Sequence, residues 1–249
     1  MSAPMPQALP ARQPAAARAP APRYAIYFAP APDSGWWRLA SVWLGRDAMQ
    51  GVELAQPNVP GIDRIDLQTL TAAPRRYGFH ATLKAPFRLV AGAQEGELLR
   101  ACAGFARTQR PVELGLLDVA PLSDFLALQP VAPTPALHSF AFACVRALDG
   151  LRAPAPPEEL ARRIATGLTP RQLALLDGWG YPYVDDEFRF HMTLTDRVDE
   201  AQSALLLPWL KKYFASVLAK PIVIDAISLY QEAAPGADFR LIEQFPLGA

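Results

Sequence analysis

Phe79-His80-Ala81-Thr82-Leu83 and Phe190-His191-Met192-Thr193-Leu194 share one pattern, a histidine two residues before a threonine inside an alternating apolar segment. Residues i and i+2 of a β-strand project from one face, so each segment presents an imidazole beside a hydroxyl and buries the residues between them. The chain holds three histidines in all, and two of them fall in this pattern. In the second segment Arg189, His191, Thr193 and Thr195 share a face opposite Phe188, Phe190, Met192 and Leu194. In the first, Gly78, His80, Thr82 and Lys84 lie opposite Phe79, Ala81, Leu83 and Ala85. Two imidazoles with ordinary pKa values of about 6.5 can divide proton acceptance and proton donation between them near neutral pH.

Downstream of each motif the same order of elements can be read: a strand end, a helix (Gly96 to Thr108; Glu200 to Leu218), a strand opened by proline (Val112 to Val119; Ile222 to Tyr230) and a last strand (Phe125 to Pro130; Phe239 to Phe245). His80 to Pro111 is 31 residues and His191 to Pro221 is 30. This repetition predicts an internal duplication in the α+β class: a duplicated, bilobal fold with two antiparallel sheets and packed helices flanking a central groove. The first repeat is expected over about residues 23–135, a helical connection over 136–180 and the second repeat over 181–249, all in one domain. Within the connection, Phe140 to Leu151, Pro157 to Gly167 and Pro170 to Gly178 read as helices, with Thr169 a cap and Pro170 at the first helical position. Asp66 is expected to cap a short piece from Leu67 to Ala72. If an approximate two-fold relates the repeats, the two polar strand faces line one groove from both sides.

Residues 1–22 contain eight Ala and six Pro, with Arg12 and Arg18 as their only charges, and this composition predicts a disordered tail. Across 249 residues the composition is 51% hydrophobic, enough for a core without staples. Lys and Arg total 24 and so do Asp and Glu, which disfavours a general nucleic-acid binder while leaving a local basic pocket open. Cys102 and Cys144 stand alone in amphipathic helical segments and are expected to be buried thiols. No apolar run approaches a bilayer span and no secretory core opens the chain, so a cytoplasmic location without membrane contact is expected. His138, in the Pro-rich stretch near Pro133 and Pro135, lacks the motif and reads as an ordinary surface or capping residue.

The polar groups suit a phosphate better than a carbonyl. Thr82 and Thr193 can donate to non-bridging oxygens, Lys84 or Arg189 can balance charge, and Tyr77 stands just before the first motif. His80 and His191 would then act as base and acid on opposite sides of one phosphorus, without metal or cofactor. Each His-x-Thr supplies only one metal ligand, which makes a metal site the weakest reading.

These residues resemble the two-histidine phosphoesterase superfamily, which includes bacterial 2′,5′ RNA ligase-like proteins and cyclic phosphodiesterases. The longer strings Arg23-Tyr24-Ala25-Ile26-Tyr27-Phe28, Tyr77-Gly78-Phe79-His80-Ala81-Thr82-Leu83-Lys84 and Gly180-Tyr181-Pro182-Tyr183 are similar to the branch found with bacterial phosphonate-utilisation genes. The resemblance covers about residues 23–247. It implies a bilobal fold, His80 and His191 as the acid–base pair and Thr82 and Thr193 as phosphate binders. Lys84, Arg189 and Tyr77 rest on strand geometry and neighbourhood alone. A hydrolase opening a small ribose- or nucleotide-derived cyclic phosphate is therefore expected, with a nucleotide or short RNA end as further substrates and no obligate protein partner. The alternative is a non-catalytic module that binds a phosphorylated metabolite or an RNA end.

Overall fold

The computed structural model describes residues 21–132 and 135–248. Residues 1–20, most of the expected Ala/Pro tail, lie outside the described residues.

β1 (Arg23–Phe28) leads through α1 (Gly35–Leu44), the small β2–β3 ribbon (Arg46–Asp47, Val52–Glu53), α2 (Arg64–Leu70) and α3 (Ala72–Tyr77) to the first motif strand, β4 (Ala81–Phe87). α4 (Glu95–Arg107), β5 (Val112–Gly115), β6 (Leu117–Leu122) and β7 (Phe125–Pro130) follow. The connection is helical: α5 (Pro135–Leu148), a 3-10 turn at Asp149–Leu151, α6 (Pro157–Ile164) and α7 (Pro170–Trp179). A second 3-10 turn at Asp185–Glu187 precedes β8 (Met192–Thr193). The chain closes with α8 (Glu200–Tyr213), α9 (Ala215–Leu218), β9 (Ile222–Ile224), β10 (Ala226–Glu232) and β11 (Phe239–Pro246).

The fold is α+β and antiparallel, and its main sheet runs β11-β10-β1-β4-β8-β7-β6. The two expected sheets are the halves of this one sheet, joined where the motif strands β4 and β8 pair. The strands β5 and β9, which follow the equivalent helices α4 and α8, also pair antiparallel with each other, Val112 with Ile224. Each half is completed by the hairpin that follows the other motif: β6–β7 lies beside β8, and β10–β11 lies on the β4 side. In the first half β1 already occupies the place next to β4, so the second hairpin meets the sheet through β10 and sends β11 outward to the edge.

Alternation in β1, β4 and β8 sends Ile26, Phe28, Ala81, Leu83, Met192 and Leu194 into the main core. There they meet Trp43 of α1, Leu98 and Cys102 of α4, Phe140 and Cys144 of α5, and Leu206 and Leu210 of α8. Both cysteines are buried and free. On the opposite face of the first half, Ala25, Tyr27, Tyr230, Phe239 and Leu241 form a smaller cluster with Trp37, Ala48 and Tyr77.

Local differences from the sequence reading have local causes. The strand expected over Val112 to Val119 breaks at Gly115, whose φ of 70° is a left-handed turn, and the strand after Pro221 breaks between Ile224 and Ala226. Asp63, not Asp66, caps α2, because the Asp63 side chain accepts from the Asp66 amide. His138 sits exposed in α5 with its ring edge-on to Phe188. Among the described residues no helix is long and apolar enough to cross a membrane.

Candidate active site

Ala81 pairs with Met192 at the centre of the sheet, and antiparallel register then sets His80 opposite Thr193 and Thr82 opposite His191. The imidazoles stand on the diagonal of this square, roughly 7–8 Å apart by ordinary strand spacing. Two cavities open over it. One of about 410 Å³ is lined by Thr82 and His191 together with Phe125, Gln172, Tyr181, Tyr183, Glu187 and Arg189. The other, about 350 Å³, is lined by His80 and Thr193 with Tyr77, Asp124, Phe125, Thr195 and Arg197. Each cavity thus holds the histidine of one strand and the threonine of the other. Phe125 belongs to both and lies 5.8 Å from the His191 ring.

The two rings are held alike. His80 Nδ1 donates to the carbonyl of Gly78 at 2.8 Å, and His191 Nδ1 donates to the carbonyl of Arg189 at 2.8 Å. A proton on Nδ1 leaves Nε2 of the neutral ring free to accept one. Thr82 Oγ1 lies 3.3 Å from His80 Nε2. Tyr27, buried in β1, stacks on the His80 ring with centroids 3.8 Å apart. Burial pushes the His80 imidazole down to about 4, helped by the neighbouring His191 and opposed by the Gly78 carbonyl. Burial also lowers His191, against the Arg189 carbonyl.

Of the seven residues singled out from the sequence, six line the cavities: His80, Thr193 and Tyr77 in one, Thr82, His191 and Arg189 in the other. Arg189 is exposed, and no ion pair engages its guanidinium among the described residues. The Tyr77 hydroxyl accepts from Arg76, and its ring stacks on Phe239 at 5.0 Å. Lys84 is the exception. It is 3% exposed, and its ammonium donates to Asp149 at 2.9 Å and to the Val145 carbonyl at 3.2 Å. Strand parity placed it beside Thr82, but β4 shifts register against β1 between them, so that Thr82 stands opposite Tyr27 and Lys84 opposite the core residue Ile26, where the C-terminal end of α5 consumes its donors. Lys84→Met is expected to cost about 1.5–3 kcal/mol of stability, the worth of charged hydrogen bonds, while leaving KM within error. Urea unfolding beside steady-state kinetics checks this, and a raised KM at unchanged stability would return Lys84 to the site.

Phe125, Tyr181, Tyr183, Gln172 and Tyr27 were not reached from the sequence. Tyr181 and Tyr183 belong to the Gly180-Tyr181-Pro182-Tyr183 string, whose local signal was a loop, whereas Phe125 and Tyr27 meet the motif only through long-range pairing.

The family model described as "Protein of unknown function (DUF1045)" matches residues 82–240, more than half of the chain. The chain belongs to the DUF1045 family. This DUF1045 chain is 46% identical over 228 residues to a curated protein of Janthinobacterium sp. (strain Marseille) named ribose 1,5-bisphosphate phosphokinase PhnN, covering 90% of this chain and 50% of that protein. A protein of the same name from Laribacter hongkongensis (strain HLHK9) is 40% identical over 220 residues, covering 88% and 50%. The chain therefore spans about half the length of the curated relatives it matches. Among solved structures, one titled as a phosphoesterase aligns over 92% of this chain and 100% of its own at a TM-score of 0.41 and 15% identity. E. coli LigT complexed with NADP+ aligns over 92% and 99% at 0.40 and 14%.

Proposed function

We propose that this DUF1045 protein is a metal-independent two-histidine phosphodiesterase that opens a small cyclic phosphate derived from ribose or a nucleotide. The observation that carries the reading is the crosswise square, with an imidazole and a threonine hydroxyl on each side of one point. A phosphorus centred there accepts threonine hydrogen bonds on its non-bridging oxygens. One imidazole takes a proton from an attacking water as the new phosphorus–oxygen bond forms. The other, as imidazolium, gives its proton to the ring oxygen whose bond to phosphorus breaks. Proton, water oxygen and leaving oxygen all balance with side chains alone.

The curated relatives are named for ribose 1,5-bisphosphate. Breaking the 2-oxygen–phosphorus bond of a 5-phosphoribosyl 1,2-cyclic phosphate leaves that compound, which supports a ribosyl 1,2-cyclic phosphate as substrate and a place in phosphonate metabolism.

The test is to follow ribosyl 1,2-cyclic and nucleoside 2′,3′-cyclic phosphates by phosphorus NMR with the purified protein, with and without chelator. Opening that persists in chelator is expected, with the ribosyl compound preferred. Loss of activity in chelator would overturn the mechanism. Saturable binding without turnover of any compound would favour the non-catalytic phosphate-binding module.

A further inference from the structure

Beside the reactive square, four arginines gather around two carboxylates. Arg23 and Arg76 both pair with Glu232, which is fully buried. Arg88 and Arg163 both pair with Glu159, at 3.0 and 3.1 Å. The two pairs meet at one end of the sheet: Tyr24 of β1 pairs with Phe87 of β4, so the adjoining Arg23 and Arg88 stand at the same end of neighbouring strands. Four positive charges face two negative ones, an excess of two on a chain whose formal net charge is zero. The guanidiniums are not sealed away: side-chain exposures are 18% for Arg23, 27% for Arg76, 29% for Arg88 and 22% for Arg163.

Two tyrosines join this cluster to the square. Arg76 lies over the Tyr77 ring at 5.1 Å, and that ring is 6.0 Å from the His80 ring. Arg163 lies over the Tyr181 ring at 5.3 Å, and Tyr181 lines the cavity that holds Thr82 and His191. The Nε of Arg163 is buried and has no hydrogen-bond partner among the described residues, so the guanidinium's bonds to Glu159 do not use all its donors. Such an arrangement exceeds what pinning α6 to the first half requires. One arginine on Glu159 would neutralise it; two leave unspent charge and unspent donors.

The geometry points to a second anion subsite at Arg88, Arg163, Arg23 and Arg76, which takes a phosphate monoester remote from the phosphorus that reacts. An excess of two matches the charge of a phosphate dianion, and forked guanidiniums match its oxygens. This deepens the function proposed above and rests on it for the reacting group, but the subsite itself is read by binding alone. The enzyme would therefore prefer a cyclic phosphate that carries a second phosphate elsewhere on the same small molecule.

The test uses the full chain carrying His80→Ala and His191→Ala, so that anion binding at the square is weakened, and titrates it by calorimetry with ribose 5-phosphate, with ribose as the control. Arg163→Gln and Arg88→Gln are each expected to weaken ribose 5-phosphate binding on the order of tenfold, the worth of one charged hydrogen bond. Glu159→Gln is expected to tighten it severalfold by freeing both arginines, the opposite sign from any loss of structure. Arg171→Gln, exposed and paired with Asp185 and Asp186, is expected to leave it unchanged. Binding indifferent to Arg88, Arg163 and Glu159, or no binding above that of ribose, would overturn the subsite. Binding that behaves as expected in a protein without cyclic phosphodiesterase activity would keep the subsite and overturn the proposed reaction instead.

Discussion

His80→Ala and His191→Ala are each expected to lower kcat by about 10²–10⁴, the usual loss when a general acid or base is removed. The two losses should not add. In the proposed reaction the imidazoles serve one phosphorus within one square, so once proton transfer fails on one side, the group on the other side has little left to accelerate. The His80→Ala/His191→Ala double variant is expected to fall close to the worse single variant. Neither substitution should unfold the protein, because the rings line open cavities and the buried neighbours Ala81 and Met192 hold the strand pair. Single-turnover kinetics on the three variants, with circular dichroism as the folding control, checks this. Wild-type rates in either single variant would remove the acid–base assignment.

Gly78→Ala is expected to have the second largest effect, on both stability and rate. Gly78 ends α3 and turns the chain into the first motif strand with φ 76° and ψ 173°, a region essentially closed to residues with a side chain. A Cβ there would stand 2.5 Å from the Cβ of buried Ala48. The backbone strain is about 1–3 kcal/mol and the overpacking about 1–3 kcal/mol more. The carbonyl that would shift is the one holding His80 Nδ1, and displacement of a reacting group by about 1 Å can cost 10²-fold in rate. Ala48→Gly in the Gly78→Ala background should recover the clash and leave the backbone strain, giving partial rescue in urea unfolding. A Gly78→Ala protein with wild-type stability and rate would show that this turn does not position His80. The second motif needs no such glycine: Arg189 supplies the equivalent carbonyl, and its φ is not among the positive ones of the described residues.

Much of this site was legible before any coordinates because period-two alternation reports which face a residue occupies. Ala81, Leu83, Met192 and Leu194 are buried, and His80, Thr82, His191 and Thr193 line the cavities. Alternation does not report what covers that face. Nor does it report a break in register: Lys84 shares Thr82's parity in the sequence, but between them β4 shifts against β1, so Lys84 stands opposite the core residue Ile26 and its ammonium goes to Asp149 and the end of α5. Helix starts with clear caps were placed closely, as with Thr169 and Pro170 at the start of α7, whereas α5 begins at Pro135 rather than Phe140 and the helix expected over Glu200 to Leu218 breaks at Phe214. The joining of the two halves into one sheet was not legible. It depends on β1 taking the place beside β4 and on hairpins crossing between halves, both long-range choices that no local window contains. Phe125 illustrates the consequence. It lies at the start of a strand read with the first repeat, yet its hairpin lies on the second motif strand, so it reaches His191. Ser123, at the tip of that hairpin with a φ of 56°, takes the left-handed conformation that places Phe125 between the cavities.

The central claim is that His80 and His191 are the acid and base of one reaction, and the pH dependence of kcat/KM on a ribosyl 1,2-cyclic phosphate tests it most directly. One limb rises as the base loses its proton and the other falls as the acid loses its own. Burial lowers both imidazoles in the free enzyme, His80 to about 4, so the bell should lie on the acid side of the ordinary histidine value of about 6.5. In His80→Ala one limb should disappear, and in His191→Ala the other. A bell that keeps both limbs in either variant, or two variants that lose the same limb, would contradict the account.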